Sequence, residues 1–227
     1  MIRTSMGIQV LKDDTHMSRL LERTGLLGAP AVEEVSHYAH LIKPGDAVVD
    51  AGCCLGDHAA VFAQLVGSEG CVHAFEPYLP SFECAKANLA IYRNVALRRI
   101  GIGADYGRFV CAPDKNVGAT RLVAPGNSVA ASAEINVYAL DQLFTDRVDF
   151  IHLDVEGMEP LVIQGALKLL ERWRPVMVIE VCTEHLDRYG WTPAELRSFV
   201  RGLGYRVEPI IYGEWHMDEH NAILHPL

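Results

Sequence analysis

Carboxylates close four apolar stretches of this chain. Asp50 follows Ala47-Val48-Val49, and Glu76 follows Cys71-Val72-His73-Ala74-Phe75; Asp154 ends the run that begins at Val148, and Glu180 ends the run that begins at Pro175. An acid that closes an otherwise buried strand needs a partner, so four in similar places point to one shared site. Gly52 and Gly56 come directly after Asp50, with Cys53, Cys54 and Leu55 between them, and residues 57–66 read as a helix. A strand, a glycine-rich turn and a helix let backbone N–H groups approach a polar or anionic ligand at the helix N-terminus. Glu76 stands twenty residues beyond Gly56, a spacing suited to holding the two hydroxyls of a ribose. The two features together imply a cofactor that contains a nucleoside.

The elements that must position these residues alternate. Residues 1–42 read as an N-terminal helical extension, with helices at 17–27 and 31–42, and residues 43–227 as the core of a single domain. Lys43-Pro44-Gly45-Asp46 is a turn signal. Strands follow at 47–50, 71–76, 95–102, 148–153 and 175–180, with helices at 57–66, 79–92, 158–172 and one opened by Thr192-Pro193. Residues 103–134 break the rhythm and read as a hairpin plus a mobile loop, with strands at 107–111 and 135–138. The closing runs 205–211 and 222–225 lack an intervening helix, which predicts an antiparallel C-terminal hairpin at one edge. The expected fold is therefore α/β: a doubly wound, mostly parallel, seven-stranded sheet. Ligands in such sheets bind beyond the carboxyl ends of the strands, where this reading places Asp50, Glu76, Ile102, Asp154 and Glu180.

At this point the residues match a known pattern. Lys43-Pro44-Gly45-Asp46, Asp50-Ala51-Gly52 with Gly56, Ala74-Phe75-Glu76-Pro77 with Asn88, Leu140-Asp141, Leu153-Asp154-Val155-Glu156-Gly157 with Glu159 and Gly165, and Arg174-Pro175 leading to Glu180 resemble the FkbM family of methyltransferases. That resemblance implies the Rossmann-like class I methyltransferase fold and S-adenosylmethionine as cofactor, with S-adenosylhomocysteine as product. It implies cofactor contacts at Asp50, Gly52, Cys54, Gly56, Glu76, Pro77, Gly103, Ala104, Asp105 and Asp154. Gly52 and Gly56 would approach its methionine end, Glu76 the ribose and residues 103–105 the adenine. The chain departs from the family pattern at Cys53-Cys54, where Ala-Asn is usual, and at His152-Leu153, where Lys-Ile is usual.

Methyl transfer from a sulfonium is an in-line displacement, and a hydroxyl acceptor loses a proton as the new bond forms. His152 and Asp154 are two apart on one expected strand and so should share a face. The catalytic expectation is His152 as general base, with Asp154 or Glu156 orienting it or the acceptor; the competing reading is a satisfied core histidine. Glu156 and Glu159 open the 158–172 helix, where carboxylates also favour the helix dipole. Magnesium gathered by Asp154, Glu156 and Glu180 is a disfavoured variant, and no metal site is expected. Acceptor contacts fall to Glu180, Trp215, His216 and His220, with Asn116 and Arg121 on a second covering loop.

Bulk properties narrow the partners. The net charge is −9 with no basic run, which argues against nucleic acid. No apolar stretch reaches the ~18 residues that span a bilayer, and the N-terminus carries no signal-peptide pattern, so a cytoplasmic protein is expected. None of the six cysteines forms a C-x-x-C pair, and the ten histidines show no metal-ligand spacing. The expected activity is O-methylation of a hydroxyl on a sugar or secondary metabolite. The acceptor is a small molecule, glycoside or peptide, and homo-oligomerisation is left open. The alternatives are N-methylation of a peptide or small molecule, an NAD-type oxidoreductase (although G-x-G-x-x-G is absent), and a catalytically idle cofactor-binding protein.

Overall fold

Seven strands form the central sheet of the computed structural model, which describes residues 1–124, 134–210 and 219–227. They are β1 (Ala47–Ala51), β2 (Cys71–Phe75), β3 (Val95–Arg98), β4 (Phe150–Leu153), β5 (Val176–Cys182), β6 (Tyr205–Ile210) and β7 (Glu219–Pro226). Their order across the sheet is β6-β7-β5-β4-β1-β2-β3. The pairs β4·β5, β4·β1, β1·β2 and β2·β3 are parallel, while β7 is antiparallel to both β5 and β6. The sheet is thus mixed through one strand. The C-terminal hairpin forms as expected, but its second strand inserts beside β5, so β6 becomes the edge.

Alternation along β1 explains how both faces are covered. Val49 and Ala51 pack with α6 (Glu159–Gln164), α7 (Leu167–Trp173) and α9 (Pro193–Gly202). Val48 faces the other way, into α2 (Ala29–Ser36), α3 (Asp57–Val66) and α4 (Leu79–Asn88). Helix α1 (Met17–Thr24) belongs to a smaller cluster with Val10, Leu55 and Cys84, and short helices α5 (Leu140–Leu143) and α8 (Thr183–Asp187) complete the set. Thr192 caps α9 in a capping box with Glu195, and Pro193 begins it.

Three expected elements differ in ways that bear on the site. The third strand stops at Arg98, and Gly101–Ile102 leaves the main sheet to pair with Val137 and Tyr138. Ile102 is therefore not at a strand end of the main sheet. The expected hairpin is part of a second, four-stranded sheet, ordered Gly101–Ile102, Glu134–Tyr138, Gly107–Ala112, Arg121–Val123. The expected helix 158–172 is two helices, broken at Gly165. A Cβ on Gly165 would lie 2.2 Å from the Gly103 carbonyl oxygen, so the chain passes too close there for a side chain. Asp141, from α5, then restarts the helix by accepting the N–H groups of Lys168 and Leu169 at 3.0 and 2.9 Å. Asp141→Ala should lower stability by about 1 kcal/mol, the usual worth of a helix cap, measured by urea unfolding. An unchanged midpoint and slope would remove that role.

Candidate functional site

The site begins where β1 ends. Gly52 has φ +91°, and a Cβ there would stand 1.8 Å from the backbone oxygen of Asp154. No side chain fits, so the turn after β1 rests directly on the chain leaving β4. The N–H groups of Gly52 and Cys53 both donate to the Phe75 carbonyl, at 2.9 and 3.0 Å, which fixes the bend to the end of β2. Cys54 (φ +47°) and Gly56 (φ +93°) complete it, and Gly56 caps α3. From behind, Asn88 of α4 donates to the Leu55 carbonyl at 3.0 Å.

Glu76 follows β2 and is buried. It accepts the Cys54 N–H at 3.0 Å and the Tyr78 N–H at 2.7 Å, one on each oxygen. Burial pushes its carboxyl up to about 8; the two N–H bonds pull it down, and Asp50 adds to the rise. Beside it runs a narrow slot of about 40 Å³ between the glycine bend (Gly52, Cys54), Glu76-Pro77, residues 100–102 and the covering residues Val117, Gly118, Thr120 and Leu122. The buried acid, with one N–H on each oxygen and lone pairs to spare beside the slot, suits the ribose of a nucleoside. The slot is too narrow for the base while residues 117–122 lie where they do.

Beyond the bend the slot meets a cavity of about 620 Å³, within the range of small-molecule sites. Gly52, Cys54, Gly118 and Asp154 line both spaces. The cavity wall carries Glu34, Asp57, Asp154, Glu156 and Glu180, with His16, His58, His185 and His220, and no lysine or arginine among its described residues. Asp154 opens onto this space while protein surrounds the space itself. Its carboxyl is held well above the usual carboxylate range, first by that enclosure, then by Glu180, Glu156 and Glu159. His185 Nδ1 lies 3.0 Å from Glu180 and 3.2 Å from Glu156; the bond to Glu180, opposed by burial, raises its pKa. Glu156 takes φ +58°. Glu159 reaches back to accept the Val155 and Gly157 N–H groups at 3.0 and 3.4 Å, and burial then Glu180 push it to about 8. It ties down the loop that presents Asp154 and Glu156.

Of the expected residues, Gly52, Cys54, Glu76, Pro77, Asp154, Glu156 and Glu180 line the two spaces, while Asp50, Gly56 and His152 line neither. Strand β4 ends at Leu153, so the alternation that would pair His152 with Asp154 does not extend to Asp154. His152 is buried under α3, outside both cavities, with Nδ1 2.9 Å from Asp50 and Phe62 against its ring at 5.5 Å. Asp50 is 0% exposed, and this bond supplies the partner its burial demands. Gly103, Ala104 and Asp105 line neither cavity; Asp105 instead accepts Gln142 Nε2 at 2.7 Å. Ile100, Gly101 and Ile102 occupy the slot wall expected of them. Trp215 and His216 lie outside the described residues. Glu34, His58 and His185 were missed: each comes from a helix, and only the folded chain carries them to the cavity.

Comparison with known proteins identifies the architecture. The chain matches the Methyltransferase FkbM domain over residues 50–207. No curated protein sequence matches it. Among solved structures it is similar to Methyltransferase FkbM from Methylobacillus flagellatus KT, at 16% identity and TM-score 0.55, over 86% of this chain and 53% of that one. The chain therefore spans about half the length of that relative. It is also similar to a SAM-dependent O-methyltransferase from Thermotoga maritima (16% identity, TM-score 0.53, 86% of this chain, 65% of that one). Aeropyrum pernix fibrillarin with natively bound S-adenosyl-L-methionine is a third (12% identity, TM-score 0.53, 81% and 67%). At these identities the likeness shows the fold, a class I methyltransferase sheet. The domain match runs over well over half the chain, and by it this protein belongs to the FkbM family of S-adenosylmethionine-dependent methyltransferases.

Proposed function

We propose that the protein methylates a hydroxyl of a small-molecule acceptor held in the larger cavity. One observation carries this reading: among the described residues, Asp154 is the only acidic residue that lines both the slot and the cavity. Chemistry between a molecule in one space and a molecule in the other must take place at that junction. Bound S-adenosylmethionine supplies a methyl group activated on a sulfonium. Glu76 would accept the ribose hydroxyls on the lone pairs left by the Cys54 and Tyr78 N–H groups, beside the glycine bend. Asp154 takes the proton of the acceptor hydroxyl, while Glu156, His185 and Glu180 orient the acceptor. The five acids of the wall, with no lysine or arginine among its described residues, favour a second reading, in which the acceptor carries an amine and nitrogen is methylated.

Three measurements test this. Methyl-labelled cofactor, incubated with metabolite extract, should give a labelled methyl ether; Asp154→Asn should slow its formation about 100-fold or more with cofactor affinity unchanged. A labelled N-methyl product, or full activity in the variant, would overturn the hydroxyl reading. Gly52→Ala should abolish calorimetric cofactor binding, while Gly67→Ala, also at positive φ but with nothing within 4 Å of its Cβ, should retain it. Finally, Glu76 titrates near 8 in the free protein, so it is mostly protonated at pH 7. Ribose hydroxyls donate to the ionised form, so binding expels a proton. Affinity should fall about tenfold per unit as pH drops below 8, and Glu76→Gln should flatten that dependence. Equal slopes in both proteins would contradict it.

A further inference from the structure

One cluster serves neither the slot nor the junction. Glu34 of α2, His58 of α3 and His152 of β4 place one ligand atom each within 4.8 Å of one another, the one group of three such residues among those described. His58 Nε2 lies 3.3 Å from Glu34 Oε2, and His152 Nε2 lies 3.9 Å from Glu34 Oε1. The two rings lie side by side, centroids 4.8 Å apart and 16° from parallel. His58 Nε2 is buried with no hydrogen bond of good geometry.

What surrounds the three resembles the support that metal ligands receive. The far ring nitrogen of His152 is held by Asp50 at 2.9 Å, the carboxylate–histidine arrangement that orients an imidazole toward an ion. Asp57 Oδ2 stands 3.8 Å from the far ring nitrogen of His58. Asn221 Nδ2 donates to Glu34 Oε1 at 2.8 Å, which leaves Oε2 turned to His58. Glu34 and His58 also line the large cavity, so a fourth position would open to whatever occupies it.

We propose that Glu34, His58 and His152 bind a divalent transition-metal ion, with zinc the ion their chemistry suits best. Two imidazoles and one carboxylate with an open position form a ligand set that zinc accepts. Ligand atoms around tetrahedral zinc sit about 3.3 Å apart. The Glu34–His58 pair is already at that spacing, and the two stacked imidazoles must turn out of parallel for both Nε2 lone pairs to meet one ion. The ion would tie α2 to the core sheet at the wall of the acceptor cavity.

The test is calorimetric titration of chelator-treated protein with zinc chloride, without cofactor or acceptor, so that its failure leaves the methyltransferase reading untouched. One equivalent should bind with micromolar or tighter affinity. His58→Ala and Glu34→Gln should each weaken binding at least tenfold, and His40→Ala, at an exposed histidine, should not. X-ray absorption of the zinc-loaded protein should show two imidazoles and a carboxylate oxygen. Should His58→Ala fail to fold, Glu34→Gln on the cavity wall gives the same reading. No stoichiometric binding, or binding unchanged by both substitutions, would overturn the site.

Discussion

The closest approach in the core sets everything else. At Gly52 the backbone leaving β1 lies against the carbonyl of Asp154 leaving β4, so near that a single added carbon would overlap it. Neighbouring parallel strands are thereby joined at their carboxyl ends, and the contact becomes a floor with a space on either side. Glu76 looks into one space, the acid-and-histidine wall encloses the other, and Asp154 occupies the boundary. The positive φ angles at Cys54, Gly56, Glu156 and Gly157 cluster at this floor. Backbone strain of this kind persists only where surrounding contacts fix it, and here the bonds from Phe75, Asn88 and Glu159 do so.

The chain handles its excess of buried acid in two ways. Some carboxylates are bracketed with histidines: Asp50 with His152, Glu34 with His58, and Glu156 and Glu180 with His185. Burial alone would depress His58 and His152, yet the adjacent acids raise both, while Glu34 is held below the usual carboxylate range. The others receive backbone N–H groups and no cation. Glu76 and Glu159 each accept two and still titrate near 8, because two neutral donors do not offset the loss of water around a buried charge. The first kind builds the walls of the site. The second leaves Glu76 with unused lone pairs at the mouth of the slot.

Sequence reasoning reached some of this and not the rest, for physical reasons. Asp50, Gly52, Glu76 and Asp154 were legible because a short apolar run closed by an acid or glycine is a local signal, and parallel alternation sends all such ends to one side. Helix α3 was read to its exact residues from the same local pattern. The rupture of the third strand at Arg98 and of the long helix at Gly165 depends on contacts with segments some forty to sixty positions away: Val137 and Tyr138 for the one, Gly103 for the other. Periodicity carries no record of such contacts. The Glu34–His58–His152 cluster was invisible for the same cause. Its members lie on three elements, so no spacing rule could find them, and the alternation argument placed His152 with Asp154 because it carried the alternation past the strand end at Leu153.

The central claim is that a nucleoside lies against the glycine bend with its sugar on Glu76. A crystal structure of the protein with S-adenosylhomocysteine tests it most directly. The account predicts both ribose hydroxyls within hydrogen-bond distance of the Glu76 carboxylate, residues 117–122 displaced to admit the base, and the sulfur facing Asp154 across the junction. A nucleoside bound elsewhere, or a ribose out of reach of Glu76, would contradict it.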